Sequence, residues 1–282
     1  MPNSHLLVSD ANHFTNLAKI NPYYSETKVD LKKAKAEHAT LINCFKQAGI
    51  KITQAPSPKD SQDGIYTANW ALVYNGIAIL SRLPVARRAE EPYAHEVLQN
   101  LGLKTISIPD SLFFSGQGDA LICGGYLFAG QSYRSDPVAT AFAAKTLGLE
   151  LIQLQTIPKQ NPDGSAFINP ETSRPDSYFY DLDLALAVIN QNTIAYCPEA
   201  FDVPSQAKLN SLNLSKILID YDEAIQGFAA NLVSTGRTAI MSAHAPKLEQ
   251  ELNQKGLQIL KPDITEIAKG GGYIRCISLT LS

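Results

Sequence analysis

Hydrophobic and polar positions along this chain repeat one arrangement, a helical segment followed by a short alternating strand. Stretches such as Leu-Gly-Leu-Lys-Thr-Ile-Ser-Ile show how directly the strand follows the helix. Glycine and asparagine tolerate the left-handed conformation that closes a helix, so these residues predict where each helix ends. The predicted junctions lie at Gly49, Gly102, Gly148, Asn213 and Gly256.

Further strand candidates lie between the junctions, and turn sequences such as Asn75-Gly76 and Gly124-Gly125 favour hairpins between neighbours. The candidates are Trp70–Tyr74, Ile77–Leu80, Ala120–Cys123, Tyr126–Ala129, Ala185–Ile189, Thr193–Tyr196 and Thr238–Met241. The pattern therefore predicts an α/β fold built from five repeats of a strand–strand–helix–strand (ββαβ) unit.

One stretch, 158–176, has no periodicity and is rich in proline and polar residues, which is typical of a long surface loop. No change in composition divides the chain, so we expect residues 1–282 to form a single domain.

Composition narrows the possible partners. Hydrophobic residues make up 45% of the chain and charged residues 18%, which is enough for a large core. The net charge of −3 argues against a nucleic-acid partner. No apolar run approaches the roughly 20 residues that span a bilayer, and no signal peptide is recognisable. We expect a cytoplasmic protein without a membrane partner. The sequence is compatible with a homodimer.

Several kinds of site are excluded by spacing. The four cysteines are far apart and form no CxxC pair, which disfavours a disulfide framework and a zinc site. None of the five histidines has metal-ligand spacing to a second one. The glycine-rich turns lack the spacing of a nucleotide-binding P-loop.

Candidate chemistry is concentrated near the end of the chain. Three glycines, Gly270–Gly272, precede Cys276, and an alternating final strand is predicted directly after it. A thiol at the mouth of a strand, behind a glycine turn, is well placed for nucleophilic attack. The alternative is a small buried cysteine that ends a core strand.

Other polar clusters also flank predicted strands. Asp119 closes a glycine-spaced turn before one strand, and Arg87 and Arg134 each follow another. Asp181 and Asp183 are two residues apart, so they share a face if the backbone is extended. Surface ion pairs, a turn cap and a solvated strand edge are the corresponding alternatives.

Taken together and in order, these motifs resemble the guanidine-modifying superfamily, which contains arginine deiminases, dimethylarginine dimethylaminohydrolases, glycine amidinotransferases and arginine dihydrolases. The resemblance extends from Leu6 to Leu281 and looks strongest to the arginine dihydrolase catalytic domain. It implies the pentein fold, a fivefold α/β propeller with the site in its central channel. The matching segments are Ile20-Asn21-Pro22, Tyr66-Thr67-Ala68-Asn69, Leu80-Ser81-Arg82 with Arg87, Glu90-Glu91-Pro92, Gly116 with Gly118-Asp119-Ala120, Tyr196 with Pro198 and Ala200-Phe201-Asp202, Asn231 with Gly236, and the glycine run before Cys276.

The resemblance also implies roles for individual residues. Cys276 would attack the central carbon of a guanidinium and form a covalent amidino intermediate. Asp119 and Asn69 would hold the guanidinium nitrogens. Arg87 and Arg134 match positions that bind the α-carboxylate of arginine-like substrates. The implied partner is a guanidino or amino-acid substrate, and no metal or organic cofactor is needed.

Two positions depart from the family pattern. Asp181 stands where the family has its general acid/base histidine, and Ser115 stands where it has a glutamate. An ordinary aspartate only accepts a proton near neutral pH unless its surroundings raise its pKa, and Asp183 is a neighbour that could do so. His244 is an alternative proton carrier. Both departures affect the chemistry of the site more than its packing.

The preferred interpretation is a cysteine-dependent C–N hydrolase of arginine or a related guanidino compound, with dihydrolase or deiminase chemistry ranked above amidino transfer. The alternatives are a catalytically silent member that binds a small amino acid or a protein partner, and an enzyme with an uncharged substrate. An open polar channel would make Cys276 the cysteine that alkylates fastest.

Overall fold

The computed structural model describes residues 2–131 and 133–282, which contain seven α-helices and seventeen β-strands. The helices are α1 (Leu31–Gln47), α2 (Glu90–Asn100), α3 (Gly116–Asp119), α4 (Pro137–Leu147), α5 (Val203–Ser211), α6 (Tyr221–Gly227) and α7 (Pro246–Gln254). The strands are β1 (His5–Ser9), β2 (Lys51–Ala55), β3 (Ala71–Tyr74), β4 (Ile77–Leu80), β5 (Lys104–Ser107), β6 (Ala120–Cys123), β7 (Tyr126–Gly130), β8 (Glu150–Leu154), β9 (Ile168–Asn169), β10 (Arg174–Pro175), β11 (Leu186–Asn190), β12 (Thr193–Tyr196), β13 (Ser215–Leu218), β14 (Val233–Ser234), β15 (Thr238–Ile240), β16 (Gln258–Leu260) and β17 (Leu279–Thr280).

Five three-stranded sheets share one topology. Their strand orders are β17-β1-β2, β3-β4-β5, β6-β7-β8, β11-β12-β13 and β14-β15-β16. In each sheet the first pair is antiparallel, the second pair is parallel, and a helix connects the parallel strands. The ββαβ unit predicted from the sequence is therefore present five times, and the C-terminal β17 supplies the first strand of the N-terminal unit.

Four of the five predicted helix ends adopt the left-handed conformation, with φ between 67° and 81° at Gly49, Gly102, Gly148 and Gly256. The prediction for Asn213 was wrong. Helix α5 ends at Ser211, and the chain leaves it extended, with φ −72° and ψ 140° at Leu212. After the helix, the Leu212 carbonyl accepts the Leu214 N–H (2.9 Å) and Lys216 Nζ (2.7 Å), so the chain is held there without a left-handed residue.

The predicted strands agree with the observed ones to within one residue at either end, apart from the final strand. That strand is only Leu279–Thr280, and Cys276 lies in the turn before it. Trp70 belongs to a 3₁₀ turn, Thr67–Trp70, rather than to β3. Thr67 Oγ1 donates to the carbonyls of Leu7 (3.0 Å) and Ile277 (2.7 Å), which ties this turn to the first sheet.

The aperiodic stretch 158–176 contains some regular structure, since β9 and β10 form a short antiparallel hairpin within it. Asn169 Nδ2 donates to Asp176 Oδ2 at 2.9 Å and so joins the first strand of the hairpin to the end of the stretch. No helix of the described residues is long and apolar enough to cross a membrane.

One topological rule positions the candidate site. The segment immediately before the first strand of each sheet carries a buried polar or nucleophilic side chain. These residues are Asn69 before β3, Asp119 before β6, Asp181 and Asp183 before β11, Asn231 before β14 and Cys276 before β17. Equivalent positions in the five repeats therefore supply the side chains of the candidate site.

Candidate active site

Cys276 lies in the turn before β17 and is only 3% exposed. Its thiol donates to Asp183 Oδ2 (3.4 Å) and accepts a hydrogen bond from Asn231 Nδ2 (3.2 Å). Asn231 Oδ1 in turn accepts the backbone N–H groups of Arg275 (2.8 Å) and Cys276 (3.2 Å), which fixes the turn. Burial, with Asp183 as a further cause, raises the pKa of the Cys276 thiol well above its usual value.

The structure does not show the expected open channel at Cys276, because the sulfur is almost fully buried. Rapid alkylation of Cys276 stays a prediction, and the carboxyl group of Asp183, which opposes the thiolate charge, argues against it. Cys44 is the more accessible thiol, because it lies partly exposed on α1.

Three carboxyl groups, those of Asp119, Asp181 and Asp183, form a buried cluster beside the thiol. Burial raises the pKa of all three, and the charge of Asp181 raises those of Asp119 and Asp183 further. Asp181 Oδ1 and Asp183 Oδ1 have no hydrogen-bond partner. Burial therefore favours the protonated forms in this cluster, which retains free acceptors for a cationic ligand.

Two glycines make room for these carboxyl groups. A Cβ atom at Gly130 would lie 1.9 Å from Asp119 Oδ1. A Cβ atom at Gly118 would lie 2.3 Å from Asn69 Nδ2 and 2.8 Å from Asp181 Oδ2. Only glycine lets the backbone approach the cluster so closely.

Asn69 connects the carboxyl cluster to the arginines. Its Nδ2 donates to Asp181 Oδ2 (2.8 Å), to Ser115 Oγ (2.9 Å) and to the Ser115 carbonyl (3.1 Å). Its Oδ1 accepts a hydrogen bond from Arg87 Nη1 at 2.7 Å. This pattern fixes the orientation of the amide and brings Ser115 and Asp181 to the same amide nitrogen.

Arg87 is buried and lies at the cavity, but it has a carboxylate partner within the protein. Its Nε and Nη2 donate to the two oxygens of Glu90 at 2.8 and 2.7 Å, and Nη2 also donates to the Tyr66 carbonyl at 3.1 Å. In this structure Arg87 therefore holds Asn69 and is not free to bind a substrate carboxylate.

Arg134 differs from Arg87, because no carboxylate of the described residues lies within salt-bridge distance of it. Its guanidinium lies 4.9 Å from the centre of the Tyr180 ring, and Nη2 donates to the Ile20 carbonyl. Arg134 is thus a cation at the cavity without a direct ion pair, and its charge opposes the rise in the pKa of Asp181.

The cavity between these groups has a volume of only about 20 Å³. About 10–15 Å³ is enough for one water molecule, so the closed cavity does not hold an amino acid. Ile20 and Asn21 lie across it, and Asn21 Nδ2 donates to the Gly270 carbonyl at 3.2 Å. His244 is exposed on the loop before α7, outside this cavity.

Asp63 is a cavity residue that the sequence analysis did not single out as functional. Burial raises the pKa of Asp63 to about 6, against the opposing effects of Arg87 and of the hydrogen bond from Tyr24. Its Oδ1 has no partner, while Tyr24 donates to Oδ2 at 2.5 Å. The local sequence Asp63-Gly64 is typical of a turn and does not indicate a buried carboxyl group.

Comparisons with known proteins identify the relatives of this chain. Among curated proteins, N(G),N(G)-dimethylarginine dimethylaminohydrolase of Mycobacterium tuberculosis is 29% identical over 93% of the chain and 80% of that protein. The bifunctional arginine dihydrolase/ornithine cyclodeaminase AgrE of Nostoc is also 29% identical, over 98% of the chain but 37% of the longer protein.

Solved structures show the same likeness. The N-terminal domain of ArgZ, a cyanobacterial arginine dihydrolase solved with bound substrate, has a TM-score of 0.88 and 25% identity, covering 99% of this chain and 98% of that one. These matches confirm the resemblance to the guanidine-modifying superfamily. The family model described as N,N dimethylarginine dimethylhydrolase, eukaryotic, matches residues 8–281, and the chain belongs to that family.

Proposed function

We propose that this protein is a cysteine-dependent hydrolase of arginine or a related guanidino compound. The observation that carries the proposal is the Cys276 thiol, which donates to Asp183 Oδ2 at 3.4 Å inside a buried cluster of three carboxyl groups. The relatives named above include a dimethylarginine dimethylaminohydrolase and arginine dihydrolases, and one ArgZ variant was solved covalently bound to a reaction intermediate.

Charge explains why a guanidinium suits this site. A cation that binds beside buried carboxyl groups favours their ionised forms, because the ion pair offsets the cost of burying their charge. Asp181 Oδ1 and Asp183 Oδ1 are the acceptors without partners, so they are the atoms available to guanidinium N–H groups. Arg134 is the cation left to pair with the α-carboxylate of the same ligand.

Catalysis then needs two bond exchanges at the guanidinium carbon. The sulfur of Cys276 forms a bond to this carbon, and the thiol proton passes to a neighbouring carboxylate. One C–N bond breaks as its nitrogen takes up a proton and leaves as ammonia or an amine. Water adds to the remaining amidino carbon, the C–S bond breaks, and the product carries a urea group while the thiol regains its proton.

Asp181 and Asp183 are the proton carriers in this proposal. A carboxyl group with an ordinary pKa only accepts a proton near neutral pH, but the raised pKa values of both groups allow donation as well. Asp183 Oδ2 is within reach of the thiol, and Asp181 occupies the position of the family histidine. A hydrolase with carboxyl groups alone as its acid and base is thus chemically complete.

Access for an amino acid requires movement, because the cavity of about 20 Å³ is too small to hold one, and Ile20 and Asn21 are among its lining residues. Two contacts hold this segment: Arg134 donates to the Ile20 carbonyl, and Asn21 donates to the Gly270 carbonyl. A ligand carboxylate that pairs with Arg134 would compete for the first contact, so substrate binding and opening are coupled.

The propeller arrangement is part of the proposal. We infer that residues 1–282 form one domain, in which the five sheets are blades around an axis and the candidate site lies at the axis. The common topology of the sheets and the supply of site residues from five equivalent segments support this arrangement.

A silent member that binds an amino acid without turnover is the second candidate. Asp181 in the histidine position and the closed ion pair between Arg87 and Glu90 favour it. Amidino transfer ranks lower, because no second amine pocket is recognisable in the sequence.

The two candidates are separated by turnover. Purified protein is incubated with arginine, methylated arginines and agmatine, and ammonia, urea, citrulline and ornithine are measured. The proposal expects release of ammonia that Cys276→Ala abolishes. A wild type that releases no product, combined with release by the double variant Ser115→Glu and Asp181→His, identifies the silent member instead. General acid–base catalysis is usually worth about 10²–10⁴-fold, so the restored activity is measurable.

A further inference from the structure

Arg275 directly precedes Cys276, but its side chain does not line the candidate cavity. It is 7% exposed, and Nη1 donates to the Ser278 carbonyl (2.8 Å), Ser278 Oγ (3.2 Å) and Thr280 Oγ1 (3.1 Å). Ser278 returns two hydrogen bonds to the Arg275 carbonyl, from its N–H at 3.1 Å and from its Oγ at 2.9 Å. The guanidinium therefore closes the turn in which Cys276 lies.

Gln117 holds the other nitrogen of this guanidinium. Its Oε1 accepts hydrogen bonds from Arg275 Nη2 (2.8 Å) and from the Thr280 N–H (2.7 Å), and its Nε2 donates to the Thr280 carbonyl (2.9 Å). Because both polar atoms of the Gln117 amide have partners, the amide has one favoured orientation. Gln117 lies in α3, two residues before Asp119, so these contacts join the segment that carries Asp119 to the turn that carries Cys276.

The charge of Arg275 acts on the thiol and on the neighbouring carboxyl group. Burial lowers the pKa of Arg275, and the charges of Asp183 and Cys276 oppose that change. Burial and the charge of Asp181 raise the pKa of Asp183, and Arg275 acts in the opposite direction. No direct ion pair joins Arg275 to a carboxylate of the described residues, so the guanidinium acts through space, as a positive charge fixed by neutral acceptors.

Cys276 and Asp183 form a pair that shares a proton, since the thiol donates to Asp183 Oδ2 at 3.4 Å. A thiolate beside a neutral carboxyl group and a thiol beside a carboxylate both carry a single negative charge. A fixed cation nearby stabilises both of these states relative to the fully protonated pair, which contains no thiolate.

We propose that Arg275 is a positioning residue of the hydrolase proposed above: it fixes a positive charge near Cys276 and Asp183 and so lets this pair hold one negative charge. Gln117 holds the guanidinium in place. Arg275 acts through its neighbours and not on the substrate, since it is absent from the lining of the candidate cavity. The inference rests on the proposed function, but the charge state of the thiol is measurable without turnover.

The alkylation rate of Cys276 at about pH 8 tests the proposal, because the thiolate is the nucleophile. Arg275→Gln removes the charge and should slow alkylation by iodoacetamide about tenfold or more, as expected for a thiol pKa that is higher by about one unit. Arg275→Lys also loses the planar guanidinium but keeps the charge, so it controls for packing and should react within about threefold of wild type. Cys44 on α1 is the internal control in each sample.

Gln117→Glu gives an independent test in a side chain of nearly the same shape. The variant keeps an acceptor for Arg275 but places a negative charge beside the guanidinium, so Cys276 should slow about as much as in Arg275→Gln. Urea unfolding shows which variants are folded. The proposal is overturned if Arg275→Gln or Gln117→Glu reacts like wild type at Cys276, or if Arg275→Lys slows as much as Arg275→Gln.

Turnover separates this inference from the proposed function. With arginine as substrate, Arg275→Gln should lower kcat about tenfold or more and leave KM within about threefold of wild type, because Arg275 contributes to the charge of the nucleophile and not to binding. A wild type that releases no ammonia contradicts the hydrolase, while alkylation still decides the role of Arg275. A wild type whose turnover is unchanged in Arg275→Gln contradicts the role of Arg275 alone.

Discussion

At the scale of single residues, burial determines how the candidate site behaves. Cys276, Asp119 and Asp183 are typical site residues by type, but each is at most 3% exposed and each has a raised pKa. Burial thus disfavours charge at these groups, and a cationic ligand beside them would favour it.

The alkylation rate of Cys276 should show how strongly the carboxyl group of Asp183 disfavours the thiolate. Removing the carboxyl group in Asp183→Asn should raise the thiolate fraction of Cys276 about tenfold for each unit by which its pKa falls. Alkylation with iodoacetamide at neutral pH, followed by mass spectrometry, measures the rate at each cysteine. Cys44 should react first in wild type and at the same rate in the variant, which makes it the internal control. Wild-type Cys276 that reacts faster than Cys44 would contradict the structure.

Asp63 should make stability depend on pH. Its folded pKa of about 6 lies above the unfolded value, so the neutral form stabilises the fold below about pH 4 and this contribution is lost as the pH rises through 6. A difference of about two units between the folded and unfolded pKa corresponds to about 3 kcal/mol in the free energy of unfolding. Between about pH 4 and pH 7, wild type should therefore lose about 3 kcal/mol more of this free energy than Asp63→Asn.

Urea unfolding at the two pH values measures this difference. Asp60→Asn changes an exposed aspartate nearby and should follow the wild-type curve. Parallel pH profiles for wild type and Asp63→Asn would show that Asp63 is not the titrating group.

Arg134 should strengthen the binding of ligands that have an α-carboxylate and have little effect on ligands without one. Arg134→Gln is expected to weaken arginine binding by on the order of 2–3 kcal/mol, because a charge-assisted pair at a buried site is lost. Agmatine has no carboxylate and should lose little. Calorimetry with both ligands gives the comparison, with the exposed Arg88→Gln as control; equal losses for the two ligands would exclude a carboxylate clamp.

The sequence identified most of these residues but not their charge states. Asn69, Asp119 and Cys276 stand in recognisable motifs, whereas the Glu90 partner of Arg87 and the buried state of Asp63 result from tertiary packing. Glu90 belonged to a matching motif, yet nothing in its spacing indicated an ion pair with Arg87. A side chain's pKa depends on neighbours that local sequence does not reveal.

At the scale of elements, the turns before the first strand of each sheet matter most, because they carry the candidate site residues. The conformation of these turns was also the feature that the sequence predicted least well. The sheets follow from alternating patterns, so their bounds agree closely with expectation. The 3₁₀ turn at Thr67–Trp70 depends instead on hydrogen bonds from Thr67 to two distant segments. The extended end of α5 likewise depends on Lys216, which lies in the following strand.

Helix α2 presents a testable element-level feature, because Glu90 at its start holds Arg87 in a buried ion pair. Arg87→Gln leaves a buried carboxylate unpaired and should cost about 3–5 kcal/mol in the free energy of unfolding. Adding Glu90→Gln removes that charge, so the double variant should be more stable than Arg87→Gln alone.

A double-mutant cycle by urea unfolding measures the coupling. The exposed pair Lys19–Glu26 is the matched control, and Lys19→Gln should cost about 1 kcal/mol or less. A double variant less stable than either single variant would contradict a pair whose main cost is an unpaired charge.

At the scale of the whole molecule, residues near the two ends of the chain meet in the first sheet. Leu6 pairs with Thr280 and Leu7 with Leu279, and the amide of Ser4 donates to the Ser282 carbonyl at 2.7 Å. The sequence predicted the repeat, but it did not predict that β17 and β1 belong to one repeat unit. The two residues of β17 form too short a pattern for that.

Circular permutation should therefore be tolerated. Joining residue 282 to residue 2 by a short flexible linker, and opening the chain after the exposed Gly164, leaves all five sheets connected as they are now. The permutant should melt within a few degrees of wild type in a thermal scan. Opening the chain inside β4, after Ile79, interrupts a central strand and should prevent folding; equal melting of both permutants would contradict the sheet assignment.

Because β17 pairs with β1, the first sheet is the last one to receive all its strands during synthesis. A ribosome completes the strands of the other four sheets, and the segments that carry Asn69, Asp119, Asp181 and Asn231, before it reaches Cys276. The thiol and the strand that finishes the first sheet then emerge within five residues of each other. A nascent chain that stops at β16 has neither, so it lacks the nucleophile and leaves β1 without its antiparallel partner, an open sheet edge at which chains can associate.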